Sequence, residues 1–552
     1  MERLPGHRQP VVLHAQTGLS DCAVRPLPAA PVARGDGDGN AASRGPDPAL
    51  RVSCAGGISH FHAGDQVVNA SKQPNAERNN GTVNLAAVRR VHLVGIGGAG
   101  LSAIAAVLLA RGLEVSGSDI QANAQTEALA RRGARIYLGH APDNVRGADL
   151  VIVSSAIAPS NAEWQEAARQ GIPVVKRGPV LAALLAGKVG VAAAGSHGKT
   201  TTAGLIAFLL SEAGLDPSFI IGGVVENFGD NARVGRGPHF VLEADEYDRT
   251  FLALRPHLSV ITNVEMDHPD CFRDEDDLRQ AFLEFAARTA PDGLILAWAH
   301  DPAVASLAQE AASIAGCAVQ TFGLDPDATW SARDLTPHAD GGTEFTLVRE
   351  GRPDVRARVA LPGRHNVSNS VAALAAAAWL GVPLASAAES LARFRGTRRR
   401  MEERGAVQGI VVLDDYAHHP TQIAATLRAV REKYGPRPLW AVFQPHTYSR
   451  LKTLWRDFAA CFGEADHVVV LPVYPAREPH DPTVRPDLLA KQMPHPDARY
   501  AGSLDEAAAL LAEHAEPDAI IITLGAGDEW IVGDRALAHL RRKLARTLQA
   551  EK

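Results

Sequence analysis

Gly198-Lys199-Thr200-Thr201 is the most chemically specific stretch of the chain. It follows the short run Val189-Gly190-Val191 and the turn Gly195-Ser196-His197, and it opens an apolar helix. A helix N-terminus presents unpaired N–H groups and the positive end of its dipole, and small residues there let a triphosphate come close. Lys199 would then neutralise the outer phosphates while the Thr200 hydroxyl reaches Mg2+. The first glycine usual in such loops is replaced by Ala193, with Gly195 standing nearer the lysine. Strand, turn and helix agree on ATP held by Gly195, Ser196, His197, Gly198, Lys199, Thr200 and Thr201, in preference to a purely structural turn.

A second glycine loop, Gly95-Ile96-Gly97-Gly98-Ala99-Gly100, follows His92-Leu93-Val94. It is less specific. Its glycines serve either close helix–strand packing or contact with a diphosphate, and Asp119 stands about where a ribose-binding acid would. NAD and a nucleotide-sugar diphosphate satisfy the same backbone amides. Glu243-Ala244-Asp245-Glu246 closes the strand after the Lys199 helix, where a Mg2+-binding acid would sit. The run Asn263-Val264-Glu265-Met266-Asp267-His268 closes the next strand. Carboxyl ends of parallel strands point into the ligand crevice, so Glu243, Asp267 and His268 on adjacent edges favour metal binding over simple helix caps. Further along, Asp414-Asp415-Tyr416-Ala417-His418-His419-Pro420 and Gln444-Pro445-His446 with Arg450 end two more strands. Any one of these histidines alone suits a satisfied surface residue; clustered at successive strand ends, they suggest a second face of the same cleft. Arg398-Arg399-Arg400 is either a solvated basic run or a phosphate contact.

The elements that must position these groups read as β-branched runs alternating with Ala/Leu-rich helices from Arg89 onward, the pattern of βαβ units and α/β domains. The chain has 552 residues, enough for about three or four domains. Boundaries near 187 and 396 divide it into 89–186, 187–395 and 396–552. Residues 1–88 hold one aromatic (Phe61) and no sustained period, which fits a disordered extension or a start codon placed too far upstream. Lys+Arg 56 against Asp+Glu 62 leaves a net charge of −6, which excludes a strongly basic nucleic-acid binder. The five cysteines lie far apart with no CxxC, so neither a disulfide framework nor a zinc cluster is expected and a reducing compartment fits. The low-charge stretch 371–388 is broken by Gly381 and Pro383, which predicts a packed helix and loop rather than a membrane span. With no signal-like N-terminus, the expectation is a cytoplasmic protein without membrane insertion.

Taken together, from about Arg89 to the C-terminus, these motifs resemble the Mur ligases, ATP-dependent amide-forming enzymes of peptidoglycan precursor synthesis. Gly363-Arg364-His365-Asn366-Val367-Ser368-Asn369 and Gly525-Ala526-Gly527-Asp528 add to the likeness. The resemblance implies a three-domain α/β architecture: a Rossmann-like UDP-binding domain, a P-loop ATPase-like central domain and a Rossmann-like C-terminal domain. It further implies that Gly95, Gly97, Gly98, Gly100, Asp119, Ser154 and Ser155 hold the UDP part of UDP-N-acetylmuramate, and that His365 and Asn366 meet the adenine. Thr200, Glu243 and His268 would bind Mg2+; Tyr416, His418 and Arg450 would position the amino acid. The closest branch adds L-alanine, in a monomer or homodimer. Where that branch usually has an arginine after Phe-Gln-Pro-His, this chain has Thr447, and Glu246-Tyr247-Asp248 resembles the branch that reattaches recycled tripeptide. The central domain has no lysine between Lys199 and Lys433, hence no candidate for the carbamylated lysine that several family members use.

The mechanism expected on this basis is attack of a carboxylate on the ATP γ-phosphorus, then of the amine on the resulting acyl phosphate. Lys199 acts on the phosphoryl group, and His418 orients the amine or takes its proton. Two rivals remain: an NAD-dependent oxidoreductase, which leaves the Lys199 loop, Glu243 and His268 unexplained, and a nucleotide-gated scaffold, against which the intact Lys199, Glu243, His268 and His418 argue.

Overall fold

The computed structural model describes residues 83–550, arranged as three sheets with helices packed on them. The first sheet is wholly parallel: β1 (Arg90–Val94), β2 (Glu114–Asp119), β3 (Arg135–Leu138), β4 (Leu150–Val153) and β5 (Val174–Lys176), in the order β3-β2-β1-β4-β5. Strand order reverses between β1 and β4, which opens a crevice at their carboxyl ends. The glycine loop after β1 and Ser154 after β4 meet there. A Cβ on Gly95 would come within 3.0 Å of the Ser154 Cβ.

Most of the segment expected to be a disordered extension, residues 1–82, lies outside the described residues. Its last residues, 83–88, are ordered. The turn Leu85–Ala87 is capped by the Asn84 side chain, and Val83, Leu85 and Val88 pack on the first core cluster.

The second sheet contains β6 (Val189–Ala194), β7 (Ser218–Val225), β8 (Asp230–Arg233), β9 (His239–Glu243), β10 (Leu258–Ile261), β11 (Leu294–Trp298), β12 (Ala318–Gly323), β13 (Trp330–Pro337), β14 (Thr343–Arg349) and β15 (Arg352–Val359). Their order is β15-β14-β13-β12-β11-β10-β6-β9-β7-β8. Because β6 lies between β9 and β10, the turn after β6 is flanked by the ends of both neighbours, so the acids that follow each strand converge on it. The helices Lys199–Glu212 and Arg364–Trp379 pack together on one face, and each is buried along nearly its whole length. That burial accounts for the Ala-rich run 371–377. The next helix is Leu384–Leu391, and among the described residues no helix is long and apolar enough to cross a membrane. Phe251, Phe282 and Phe285 join Leu108 and Leu184 in one apolar cluster, so the first and second sheets share a core.

The third sheet runs β16-β17-β21-β18-β19-β20, with β16 (Glu402–Val407), β17 (Ile410–Asp415), β18 (Leu439–Phe443), β19 (His467–Val470), β20 (Ala498–Tyr500) and β21 (Ile520–Leu524). Only the β16–β17 pair is antiparallel. The helix Pro420–Tyr434 follows β17, with proline at its first position where no N–H is needed.

Candidate active site

Gly198 caps the helix Lys199–Glu212 at φ 82°, and Gly195 turns the chain out of β6 at φ 131°. A side chain at Gly195 has no room: its Cβ would stand 2.0 Å from Thr262 Oγ1 and 2.9 Å from the Asn263 backbone. The loop is tied to the end of β10. Asn263 Oδ1 accepts from His197 N at 2.8 Å, and Ser196 Oγ donates to the Glu265 carbonyl at 2.8 Å. Lys199 Nζ donates to Glu246 at 2.9 Å and to the Ser196 carbonyl at 3.2 Å. Burial alone would lower the Lys199 pKa, but Glu246, Asp245 and Glu243 more than offset it and raise the pKa.

Two polar groupings flank the lysine. Thr200 Oγ1 donates to Glu243 Oε1 at 2.9 Å, and the other oxygen of that carboxylate accepts from Gly222 N. Asp245, Glu246 and His268 form the second grouping, with ligand atoms within 4.8 Å of one another. Glu246 is buried, and burial raises its pKa despite Lys199 nearby. His268 adopts φ 55°, as Asp248 and Arg249 adopt 55° and 51°. Left-handed backbone at non-glycine residues is strained and gathers at functional sites. Of the three metal-ligand candidates, Thr200 and Glu243 are thus in direct contact, and His268 stands with Asp245 and Glu246. The oxygen donors among these residues suit Mg2+.

Beside the loop lies a cavity of about 220 Å³ whose lining includes Gly198, Thr201, Trp298, Phe322, His365 and Asn366. Burial and Arg400 lower the His365 pKa to about 4, so its ring is neutral near pH 7. Asn366 donates through Nδ2 to the Pro362 carbonyl at 2.7 Å. The cavity is largely apolar and lies next to the phosphate loop.

At the first glycine loop, Gly97 N donates to Asp119 Oδ2 at 2.8 Å. The candidate diphosphate residues therefore surround one strand end, and they face the second sheet. Ser155 Oγ donates to Asp248 Oδ2 at 2.8 Å, Lys176 Nζ donates to Asp248 at 2.7 and 2.8 Å, and Arg177 Nη2 donates to Asp245 Oδ2 at 2.6 Å. A Cβ on Gly100 would meet Arg177 at 2.9 Å. Arg177 thus joins the first loop to the acids beside Lys199.

The third domain closes the cleft from the other side. His418 Nδ1 donates to the Tyr416 carbonyl at 2.8 Å, which leaves Nε2 with a lone pair. Burial, with Arg450 nearby, holds its pKa well below the usual range. The Tyr416 and His446 rings lie 5.3 and 5.8 Å from the His418 ring. Arg450 is committed elsewhere. It is almost wholly buried, donates to Asp267 Oδ1 through Nε at 2.8 Å, lies 2.7 Å from it through Nη2, and lies 3.0 Å from His446 Nδ1. Thr447, at φ 66°, caps the short helix Tyr448–Thr453. Of the three arginines 398–400, Arg398 pairs with Glu226, Arg399 with Asp414 and Glu529, and Arg400 lines the 220 Å³ cavity.

Lys176, Arg177 and Gln422 were not singled out in the sequence, and Asp248, Glu265 and Thr421 only as members of motifs; all six join this site. Lys176, Arg177 and Asp248 link the first two sheets; Glu265, Thr421 and Gln422 link the second and third. Thr421 Oγ1 donates to Glu265 Oε1 at 2.5 Å, and Gln422 Nε2 lies 2.8 Å from His197 Nδ1. Adjacency to a motif was the one available signal: Gln422 lies two residues past the Asp414–Pro420 segment.

The three sheets converge on a nucleotide-dependent ligase cleft, and comparison with known proteins agrees. Family models described as "Mur ligase family, catalytic domain", "Mur ligase middle domain" and "Mur ligase, glutamate ligase domain" match residues 90–189, 193–377 and 399–527. The UDP-N-acetylmuramate–L-alanine ligase of Saccharopolyspora erythraea is 43% identical over 468 residues, covering 84% of this chain and 95% of its own. That of Desulfatibacillum aliphaticivorans is 42% identical, over 81% and 98%. Among solved structures, the UDP-N-acetylmuramate–alanine ligase of Thermotoga maritima superposes with a TM-score of 0.70 at 28% identity, covering 82% of this chain and 99% of that one. A murein peptide ligase from Psychrobacter arcticus gives 0.65 at 26% identity, over 82% and 98%. The chain belongs to the Mur ligase family.

Proposed function

We propose that this chain joins L-alanine to UDP-N-acetylmuramate at the expense of ATP, in peptidoglycan precursor synthesis. The observation carrying this reading is the meeting, at the Lys199 loop, of strand ends from three sheets. One is shaped for a diphosphate, one for a triphosphate with its metal, and one is lined by Tyr416, His418 and His446. Over most of their length, relatives bearing that activity share 42–43% identity with the chain. Domains of 89–186, 187–395 and 396–552 serve these three tasks in turn.

A carboxylate is a poor acyl donor and must be activated. Its oxygen attacks the γ-phosphorus of ATP in line, the bond to the β-phosphate oxygen breaks, and ADP leaves an acyl phosphate behind. Lys199, released from Glu246 by the arriving phosphates, holds the transferring charge, the main source of catalysis in phosphoryl transfer. Thr200 and Glu243, with His268 and its acidic neighbours, would hold Mg2+, which would supply neutralisation of phosphate charge. The amine next attacks the acyl carbon and phosphate leaves. No enzyme nucleophile is needed. His418 offers Nε2 as a hydrogen-bond acceptor to the amine; with its basicity depressed, it orients better than it stores a proton. Since Arg450 is held by Asp267, the amino-acid carboxylate takes its contacts from other groups of the third domain. Dependence on ATP supports a cytoplasmic reaction.

The test is phosphate release by the purified chain with ATP, Mg2+, UDP-N-acetylmuramate and each of L-alanine, glycine, L-serine and the tripeptide. Release that requires both UDP-N-acetylmuramate and L-alanine is expected. Preference for the tripeptide transfers the chain to the recycling branch, and no new amide with any acceptor overturns the reading. Hydroxylamine should trap the activated carboxylate as a hydroxamate.

A further inference from the structure

Apart from the Mg2+ candidates, a second cluster of ligating atoms bridges the phosphate loop and the third domain. His197, Glu265 and His419 each bring one ligand atom within 4.8 Å of the others. His197 Nε2 lies 2.8 Å from Glu265 Oε2, and His419 Nδ1 lies 4.0 Å from that same oxygen. The two imidazole rings are 4.7 Å apart.

The tautomer of His419 gives this cluster its meaning. Its Nε2 lies 3.2 Å from the Met266 carbonyl, which can only accept, so Nε2 carries the proton. Nδ1 therefore holds a bare lone pair. It is buried at 2% exposure and has no hydrogen-bond partner. What it faces is a carboxylate oxygen. A buried lone pair that faces a carboxylate oxygen calls for a positive or hydrogen-donating species between them. Burial lowers the His419 pKa to about 4, so a proton does not fill the gap near pH 7. Glu265 is ionised there as well: burial would raise its pKa, but hydrogen bonds from His197 and Thr421 bring it to about 2.

We propose that His197, Glu265 and His419 bind a divalent cation of the zinc, cobalt or nickel type. Two neutral imidazoles and one carboxylate are the donor set such ions favour, with a fourth position left for water. Mg2+ prefers oxygen ligands and keeps its waters, so it belongs with Thr200 and Glu243 instead. The surroundings match what metal-binding histidines have elsewhere. The Met266 carbonyl fixes the His419 ring from behind, and Thr421 holds Oε1 of Glu265 so that Oε2 turns to the imidazoles. Ligation through His197 Nε2 moves its proton to Nδ1, where the Gln422 amide accepts it by turning over. Glu265 is 41% exposed and supplies the way in. A cation here fastens the phosphate loop to the start of the helix Pro420–Tyr434.

The experiment reads binding, so it stands or falls independently of the ligase assignment. The full chain, stripped by chelator and kept in excess Mg2+, is titrated with Co2+ and followed by its visible d–d bands, then by Zn2+ displacement. Wild type is compared with His419→Gln, Glu265→Gln and His268→Gln, each verified as folded by circular dichroism and thermal melting. All variants keep every other histidine and cysteine, so differences isolate this cluster. The expected result is one stoichiometric ion whose affinity falls about 100-fold or more in His419→Gln and Glu265→Gln, and which survives in His268→Gln. Equal binding by wild type, His419→Gln and Glu265→Gln overturns the proposal. So does loss confined to His268→Gln, which would place the ion among the acids beside Lys199. Glu265→Gln keeps the test decisive should His419→Gln fail to fold, because Glu265 is partly exposed.

Discussion

Lys199 lies 2.9 Å from the Glu246 carboxylate, so the phosphate-loop cation is paired before any phosphate arrives. Under the proposed function, ATP would exchange one anion for another at Lys199, leaving the buried Glu246 to be balanced by metal or proton. Lys199→Ala removes the group that meets the transferring charge while leaving the helix intact, since alanine is a good helix former. Phosphate release should fall by about a thousandfold or more, with the circular dichroism spectrum unchanged; a near-normal rate would remove the lysine from the chemistry. Glu163 illustrates a residue whose role is purely structural. Its buried carboxylate accepts from Ser118 at 2.6 Å and Asn144 at 2.5 Å and lies 3.0 Å from His140. Burial would raise its pKa, but these bonds and His92 hold it at about 2 against 4.5. A depressed acid stabilises the fold above its unfolded pKa and loses that contribution as pH falls through the folded value, so the window here is about pH 4.5 down to 2. Glu163→Gln should cost about 2 kcal/mol at pH 7, and urea midpoints of variant and wild type should converge as pH drops into that window. At this scale the sequence was legible where chemistry demands neighbours. Thr200 was read as a Mg2+ contact from the phosphate-loop pattern and Glu243 from its strand end, the resemblance put the two in one metal set, and they touch. Glu163 carried no such signal, because an acid in a helical Ala-Glu-Trp-Gln-Glu stretch reads as solvated.

Helices and strands decide how closely the loop can approach its neighbours, and Gly195 is the tightest point. With φ 131° and a virtual Cβ 2.0 Å from Thr262 Oγ1, it meets both a conformational and a steric barrier. Gly195→Ala should destabilise the second domain by about 2–4 kcal/mol and weaken ATP binding, read by thermal shift with and without nucleotide. Adding Thr262→Ala should not restore either property, because the Asn263 backbone still stands 2.9 Å away; full rescue by the double variant would show that the side chain alone set the limit. The βαβ alternation made the parallel strands β6, β9 and β10 readable, since each is a short, mostly apolar run ended by glycine, acidic or polar residues. The strands β13, β14 and β15 were not. They pair antiparallel with one another and are half exposed, and β15 (Arg-Pro-Asp-Val-Arg-Ala-Arg-Val) is dominated by charge on its open face. Strand pairing, rather than composition, makes such a segment a strand.

Closure of the whole molecule rests on charge pairs that join the sheets, and the most buried of them is Asp267–Arg450. The partners are 183 residues apart, and each side chain is 3% exposed. No sequence pattern announces a pairing over that distance, which is why Arg450 read as an amino-acid contact and Asp267 as a metal neighbour. A buried pair is costly to break from one side, because the remaining charge stays desolvated, a penalty of about 3–5 kcal/mol. Asp267→Asn should therefore undock the third domain rather than unfold it, since exposure to water relieves Arg450 while the third sheet keeps its own apolar clusters. Small-angle scattering should show a larger radius of gyration for Asp267→Asn, and turnover should fall with it. Because Asp267 also adjoins His268, activity alone does not separate the two effects; scattering does. The double variant Asp267→Leu/Arg450→Met should recover the compact form, since two apolar groups can replace a buried ion pair with little loss. High salt should leave the wild-type radius unchanged, as screening does not reach a pair this buried, whereas the partly exposed Arg477–Asp270 pair weakens. Identical scattering from wild type and Asp267→Asn at every ionic strength would mean that the apolar contacts between sheets, and not this pair, hold the cleft shut.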